Sequence, residues 1–347
     1  MEPWFREAAA ADPGRVHTEG HAARVAIEVA REQVASFLGC RGSREVVFTS
    51  GATESIITAT WMATEQSAHI VLPAVEHSAV RRASEMFGMP TVVGVDPWGR
   101  VDADELLAEV HADTALVHVQ WGNHEVGTLQ PVERIVSACR ERGVLVHVDA
   151  AMAAGHVPVS FASLDADLLS VSAHKLGGPP GVGALLVRRG LRLRPLMVGG
   201  DQERARRAGF ENVPAIVGFG AACESAARFD DPDAERALIR RVIDGSGLSV
   251  LGDPTDSLPH LVCLSIEAVE AEPVLLGLDQ AGIAVHSGSS CSSEALEPSP
   301  VLEAMGVDAS RSLRVSVGWS TTDTDIDAFL RALPGVLSRL RALGDRH

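Results

Sequence analysis

Lys175 is the only lysine in a chain with 30 lysine-plus-arginine residues, and it lies in the segment SVSAHKLGGPPGVGALLV. Arginine stays protonated at any biological pH, whereas a lysine amine can lose its proton and attack a carbonyl. Drift of surface lysines to arginine accounts for the other 29 basic residues, but it stops where the amine itself is needed. An amine at a strand end, flanked by Ser172 and His174, suits a Schiff base with a carbonyl cofactor. A solvated loop lysine is the plain alternative. In VVFTSGATESIITATWMA, a strand runs through Ser50-Gly51-Ala52-Thr53 into a helix. Backbone N–H groups at that helix start, with hydroxyls beside them, suit a phosphate; a capping box with Thr53 as N-cap is the alternative. In VHVDAAM, Asp149 follows an apolar run. A carboxylate there can keep a pyridine nitrogen protonated and make the ring an electron sink, or it can simply cap a helix.

The elements that must position these groups read as alternating strands and helices. Short apolar runs recur at REVVFTS, HIVLP (69–73), TVVGV (91–95), TALVHVQ (114–120), VLVHVDA (144–150), DLLSVS (167–172) and GALLVRR (183–189). Helical patterns lie between most of them, including DADELLAEVH and PVERIVSACRERG, and HAARVAIEVAREQVASFLG is amphipathic at helical spacing. This order predicts an α/β fold with a mostly parallel sheet covered on both faces, its site at the carboxyl ends of the strands. DDPDAE (230–235) reads as a linker or helix break. Beyond it, HLVCLSIEA, EPVLLGLDQAG, LRVSV and TDTDIDAFLRALPGVLSRLRAL predict a smaller α+β domain, so the expected division is 1–230 and 231–347.

Composition narrows the function. With 347 residues, 46% hydrophobic and 22% charged, the chain has an ordinary globular make-up and enough length for two domains. A formal charge of -16 argues against nucleic acid or an anionic membrane as the main partner. No apolar run approaches the roughly 18 residues of a membrane span, and MEPWFREAAAAD lacks the apolar core of a signal peptide. Five cysteines without a CxxC pair fit a reducing cytoplasm better than a disulfide scaffold. The only lysine does not follow a P-loop, and GVG at 181–183 lacks the third glycine of a dinucleotide fingerprint. His17 and His21 have helical metal-ligand spacing but no third ligand nearby, so no metal is expected.

Taken in order, the phosphate cradle, the acid and the Ser-x-His-Lys segment resemble pyridoxal-phosphate enzymes of aminotransferase class V, and among them the NifS/IscS-type cysteine desulfurases. FTSGATES, VEHSAV, WGNHEVGTLQP, HVDAA, SAHKLGGPPGVGAL, GFENVPAIVG, SGSSCSSEALEPSPVL and LRVSVGWSTT each match a family block, in family order, over nearly the whole chain. The resemblance implies fold type I of the pyridoxal-phosphate-dependent transferases, a large cofactor-binding domain and a small C-terminal domain carrying a catalytic-cysteine loop. It implies pyridoxal 5'-phosphate held by Lys175, its phosphate gripped by Ala52, Thr53, Ser172 and His174, and its ring nitrogen facing Asp149. His77 is expected to stack on the ring and assist proton transfer, Asn123 to contact the ring hydroxyl and the substrate, and Arg314 to clamp the substrate carboxylate as a bidentate fork.

Cys291 lies in HSGSSCSSEALEPSP, a polar loop where a reactive exposed thiol is plausible, while the other four cysteines read as small core residues. In the resembled family this loop cysteine takes the sulfur of L-cysteine as a persulfide, releases L-alanine and carries the sulfur to an acceptor protein. A cytoplasmic homodimer is implied. Selenocysteine lyase or amino-acid β-lyase chemistry, or a non-catalytic scaffold role, are the competing readings. Three positions depart from the family pattern. Met1-Glu2-Pro3-Trp4 resembles an internal position, so the family's first strand and Ala/Thr-rich segment are expected either upstream of Met1 or missing. Met152 stands where a glutamine usually bonds the ring oxygen, and Phe210 replaces a threonine that reaches the neighbouring subunit's phosphate.

Overall fold

The computed structural model describes residues 1–6, 11–229, 231–287 and 298–344. Seven short apolar runs become the strands of one sheet: β1 (Val46–Thr49), β2 (His69–Pro73), β3 (Met89–Val93), β4 (Thr114–Gln120), β5 (Leu145–Asp149), β6 (Leu168–Ser172) and β7 (Gly183–Val187). Their order is β1-β7-β6-β5-β4-β2-β3. β2, β3, β4, β5 and β6 pair in parallel, and β7 runs antiparallel to both β6 and β1. β1 therefore points the same way as the parallel set, and β7 is the one reversed strand.

Both faces of the sheet are covered, which is why its strands are continuously apolar rather than alternating. Phe48, Leu169, Val171 and Leu186 face a cluster built with the helices Thr18–Phe37 and Val213–Phe229. Their neighbours Val47, Leu168 and Leu185 pack on the other side with Ala59 and Met62 of the helix Ala52–Ala63. The helix Thr18–Phe37 buries Ala23, Ile27, Ala30 and Val34, one stripe at helical spacing. His17 starts this helix, its Nδ1 accepting the Gly20 N–H at 3.1 Å, so the His17/His21 spacing belongs to a capped helix start.

A second sheet comprises β8 (Ser249–Leu251), β9 (Leu261–Ser265), β10 (His286–Ser287) and β11 (Ser312–Ser316), all antiparallel in the order β10-β11-β9-β8. It has its own core, with Val262, Leu264, Leu313 and Val315 packed against Val274 and Leu278 of one helix and Phe329, Leu333 and Leu337 of the last. Among the described residues, no helix is long and apolar enough to cross a membrane.

The helix Val213–Phe229 ends at the DDPDAE stretch and a second helix, Pro232–Ser246, begins within it: Asp231 caps it with its carboxylate on the Asp233 and Ala234 N–H groups, and Pro232 occupies the first turn where no N–H is needed. The third strand runs over Met89–Val93 rather than 91–95. Pro90 is tolerated there because β3 is the sheet's edge and pairs with β2 alone.

Reversal of β7 places Gly183 opposite both Thr49 and Ser172. A Cβ at residue 183 would stand 2.5 Å from the Val171 carbonyl and 2.7 Å from the Gly51 Cα, so only glycine lets the loop after β1 lie against β6. Gly183→Ala is expected to cost about 1–3 kcal/mol of stability through this overlap, read as a lower midpoint in urea unfolding. An unchanged midpoint would mean that the two strand ends are not held this close.

Candidate active site

The parallel strands deliver Gln120, Asp149 and Ser172 to one edge of the sheet. Here a cavity of about 560 Å³ is lined by the 50–53 turn, His77, Gln120, His124, Asp149, Met152, Ser172, His174, Lys175, His286 and Arg314. Nine of the ten expected site residues are described. Ala52, Thr53, His77, Asp149, Ser172, His174, Lys175 and Arg314 all line this cavity. Cys291 lies outside the described residues.

Lys175 occupies a short 3₁₀ turn, Ala173–Leu176, directly after β6. Gly177 ends the turn at φ +72°, a left-handed conformation that reverses the chain at little cost. Ser172 Oγ and His174 Nδ1 are 2.9 Å apart. Burial, aided by the nearby Lys175 charge, lowers the His174 pKa below the usual imidazole range. Across the cavity, the helix Ala52–Ala63 begins with Gly51 as N-cap and no side-chain cap. The capping box with Thr53 is therefore not formed. Glu54 bonds back to the Ser50 N–H at 2.8 Å and is itself held by Arg207 at 2.9 and 3.2 Å, which fixes the turn without filling it.

Asp149 is 8% exposed. Its Oδ1 accepts from the Ala151 N–H and the Ser170 hydroxyl, both at 3.0 Å. These two donors fix the plane of the carboxylate, and among the described residues Oδ2 makes no hydrogen bond. His77 caps the helix Ser78–Phe87, its Nδ1 accepting the Ala79 N–H at 3.1 Å. In the neutral ring this leaves the proton on Nε2. The His124 ring stands edge-on to it at 4.9 Å.

Asn123 is placed beside the cavity and not in its lining. The residue is fully buried, its Oδ1 accepts the Glu125 and Val126 N–H groups at 2.8 Å each, and its Nδ2 donates to the Val75 carbonyl at 3.2 Å. Most of its amide is spent on shaping the loop that carries Gly122 and His124. Arg314, on β11, donates through Nη1 to the His124 carbonyl at 2.8 Å and stands opposite His286 of β10. The second sheet thereby supplies one wall of the cavity, joined to the first through this bond.

Glu76, Gln120, His124 and His286 were not singled out in the sequence. Glu76 adjoins His77, and its Oε1 accepts the Gln120 N–H at 2.6 Å, while Oε2 is buried with no partner. Burial pushes its carboxyl up to about 8; the Gln120 bond and the His124 charge oppose this, and the Asp149 charge adds to it. Only the chain's path to β4 shows this, because an acid beside a helix cap carries no such signal in a sequence.

The donor set fits pyridoxal phosphate. A helix start without a side-chain cap, a Ser/His pair, a fixed carboxylate, an imidazole and a primary amine surround a single cavity large enough for a small aromatic phosphate. Bound there, the phosphate would meet the Ala52 and Thr53 end, and the ring nitrogen the Asp149 end.

Because Glu76 has a raised pKa in the folded chain, it keeps a proton that the unfolded chain has lost between about pH 4.5 and about 8. Native stability drawn from this group is complete below that window and is lost as pH rises through it. Glu76→Gln removes the titration, so the urea midpoint of the variant should rise relative to the parent between pH 5 and pH 8. A constant difference across that range would show that Glu76 is ionised throughout.

Comparison with known proteins agrees with this layout. The aminotransferase class-V family model matches residues 1–329. The cysteine desulfurase of Trichormus azollae is 40% identical over 353 residues, covering 96% of this chain and 87% of the relative. That of Gluconacetobacter diazotrophicus is 40% identical over 361 residues, covering 99% and 90%. Among solved structures, a NifS-like protein superposes with a TM-score of 0.90 at 34% identity, covering 98% of this chain and 94% of the other. DndA from Streptomyces lividans does so with a TM-score of 0.76 at 33% identity, covering 91% and 94%. With the motifs, the strand order and the placement of Lys175 all in agreement, the chain belongs to the aminotransferase class-V family, among its cysteine desulfurases.

Proposed function

We propose that this chain is a pyridoxal-phosphate-dependent cysteine desulfurase that converts L-cysteine to L-alanine, holds the sulfur as a persulfide on Cys291 and passes it to an acceptor protein. The observation that carries this reading is the convergence of the lone lysine, Asp149, His77, the Ser172–His174 pair and Arg314 on one cavity. When bound, pyridoxal phosphate supplies an electron sink that weakens bonds at and next to the substrate α-carbon. Lys175 Nζ would hold the cofactor through its aldehyde and is the amine placed to move protons at that carbon. The Ala52 and Thr53 N–H groups, Ser172 and His174 would hold the phosphate, and Asp149 would keep the ring nitrogen protonated. His77 would stack on the ring, with its Nε2–H available for proton transfer. The second hydrogen on Asn123 Nδ2 is the one available to the ring hydroxyl. Arg314, tethered through one nitrogen to His124, offers the rest of its guanidinium to the substrate carboxylate.

Cys291 is the nucleophile of this reading. Its thiolate attacks the substrate sulfur, the carbon–sulfur bond breaks, and L-cysteine plus enzyme thiol becomes L-alanine plus enzyme persulfide. The other four cysteines are poor candidates, because burial pushes Cys40 and Cys263 up to about 12, Cys139 up to about 11, and Cys223 higher still. Two departures act on the cofactor itself. Met152 lines the cavity and offers only a weak acceptor sulfur to the ring oxygen. Phe210 is 62% exposed and presents an apolar ring where the family reaches across a dimer. A cytoplasmic homodimer of two-domain subunits, with the second sheet as the small domain, completes the reading.

The purified protein is expected to be yellow and to release equimolar alanine and, under reductant, sulfide from L-cysteine. Lys175→Arg should abolish both the colour and the turnover, since a guanidinium cannot replace the amine. Cys291→Ala should retain the absorbance and lower sulfide release by about two orders of magnitude or more, as for loss of a nucleophile. Sulfide release unaffected by Cys291→Ala, with selenocysteine or another amino acid preferred, would instead identify a class-V lyase. No absorbance change on adding pyridoxal phosphate would point to a scaffold.

A further inference from the structure

His156, Glu235 and His260 meet at the junction of the two sheets, beside the cavity described above. His156 lies in the turns that follow β5, Glu235 in the first turn of the helix Pro232–Ser246, and His260 immediately before β9. His156 Nδ1 stands 2.9 Å from one Glu235 oxygen and 3.2 Å from the other. The two imidazoles stack with centroids 3.5 Å apart and planes inclined at 21°. One ligating atom from each of the three residues lies within 4.8 Å of the others. His260 is 5% exposed, and its Nδ1 is buried without a hydrogen-bond partner. The three residues line a separate cavity of about 330 Å³ that Met152, Lys175 and Arg314 also border.

We propose that His156, Glu235 and His260 form a binding site for a divalent transition-metal ion of the Zn²⁺ type. Two imidazoles and one carboxylate are borderline donors that suit Zn²⁺, whereas Mg²⁺ and Ca²⁺ call for oxygen ligands alone. Around a tetrahedral ion with bonds of 2.0–2.1 Å, donor atoms stand about 3.4 Å apart. Binding therefore draws the three donors together and splays the two rings out of their stack so that their lone pairs converge. The buried His260 nitrogen then gains the partner it lacks. Three protein ligands leave a fourth position open to the cavity, for water or a thiolate. Because the ligands come from both sides of the junction, the ion ties the loop after β5 to the second sheet.

The residues give no motif in the sequence, since His156 and Glu235 are 79 positions apart and nothing local links either to His260. The site does not depend on the desulfurase reading, and its test does not use turnover. Purified full-length protein with its cofactor, carrying Cys291→Ser to remove a competing thiolate, is titrated with Zn²⁺ against a chromophoric chelator. One ion per chain is expected, with affinity falling more than about 100-fold in His260→Asn and in Glu235→Gln, beyond the usual loss for an outer-shell partner. Zn²⁺ should raise the melting temperature of the parent and leave that of His156→Asn unchanged. X-ray absorption of the Zn²⁺-loaded parent should show scattering from two imidazoles. Absence of stoichiometric binding, binding that survives both substitutions, or a metal shell without imidazole would each overturn the proposal and leave a stacked histidine pair on a carboxylate.

Discussion

Hydrogen-bond register across the seven-stranded sheet is the constraint on which the site depends. Gln120 pairs with Asp149, Asp149 with Ser170, and Ser172 with Gly183, which in turn pairs with Thr49. Residues distant in the chain thus reach one edge at strand spacing, and side chains only one or two positions beyond the strand ends can share a cavity. A one-residue slip in any ladder would turn Asp149 or Ser172 to the opposite face. The reversed β7 reinforces this arrangement by standing between β1 and β6 and pairing with both, which brings the uncapped helix start towards the Lys175 turn.

Charge is distributed around this frame with a division of labour between arginine and lysine. Arg31 forks onto Glu203 at 2.6 and 2.7 Å with both side chains 3% exposed, and Arg207 does the same for Glu54. Planar forks of this kind hold carboxylates in low-dielectric settings better than an ammonium can. The Arg31–Glu203 pair anchors a stretch in which Glu203, Arg204 and Ala205 all have left-handed φ values of 49–60°, a conformation that non-glycine residues hold only when their surroundings enforce it. His118 and His147, facing each other at 3.0 Å in β4 and β5, remain neutral because burial forbids their charge, so they act as sheet packing and not as acid–base groups.

Much of this organisation was legible in the sequence because it rests on local signals. Continuous β-branched runs mark strands buried on both faces, and polar residues just after them mark the active edge. Where local signals fall short, contacts made through space decide. Asp231-Pro232 is a turn signal and a helix-start signal alike, and only the helix behind it decides between them. Asn123 stands within a motif that implies cofactor contact, yet backbone groups of its own loop claim most of its amide. Glu76 adjoins His77 in the chain, while its environment is set by burial against β4.

By itself the sequence determined the fold class and the family, and it singled out Lys175, the 50–53 turn and Asp149 as candidates, because each is carried by residue type and spacing within a few positions. Tertiary structure decided what depends on distance through space: the second sheet's contribution of Arg314, the burial that raises the Glu76 pKa, and the meeting of His156, Glu235 and His260. Such properties arise from desolvation and from convergence of remote segments. Neither leaves a periodic or local trace in the order of the residues.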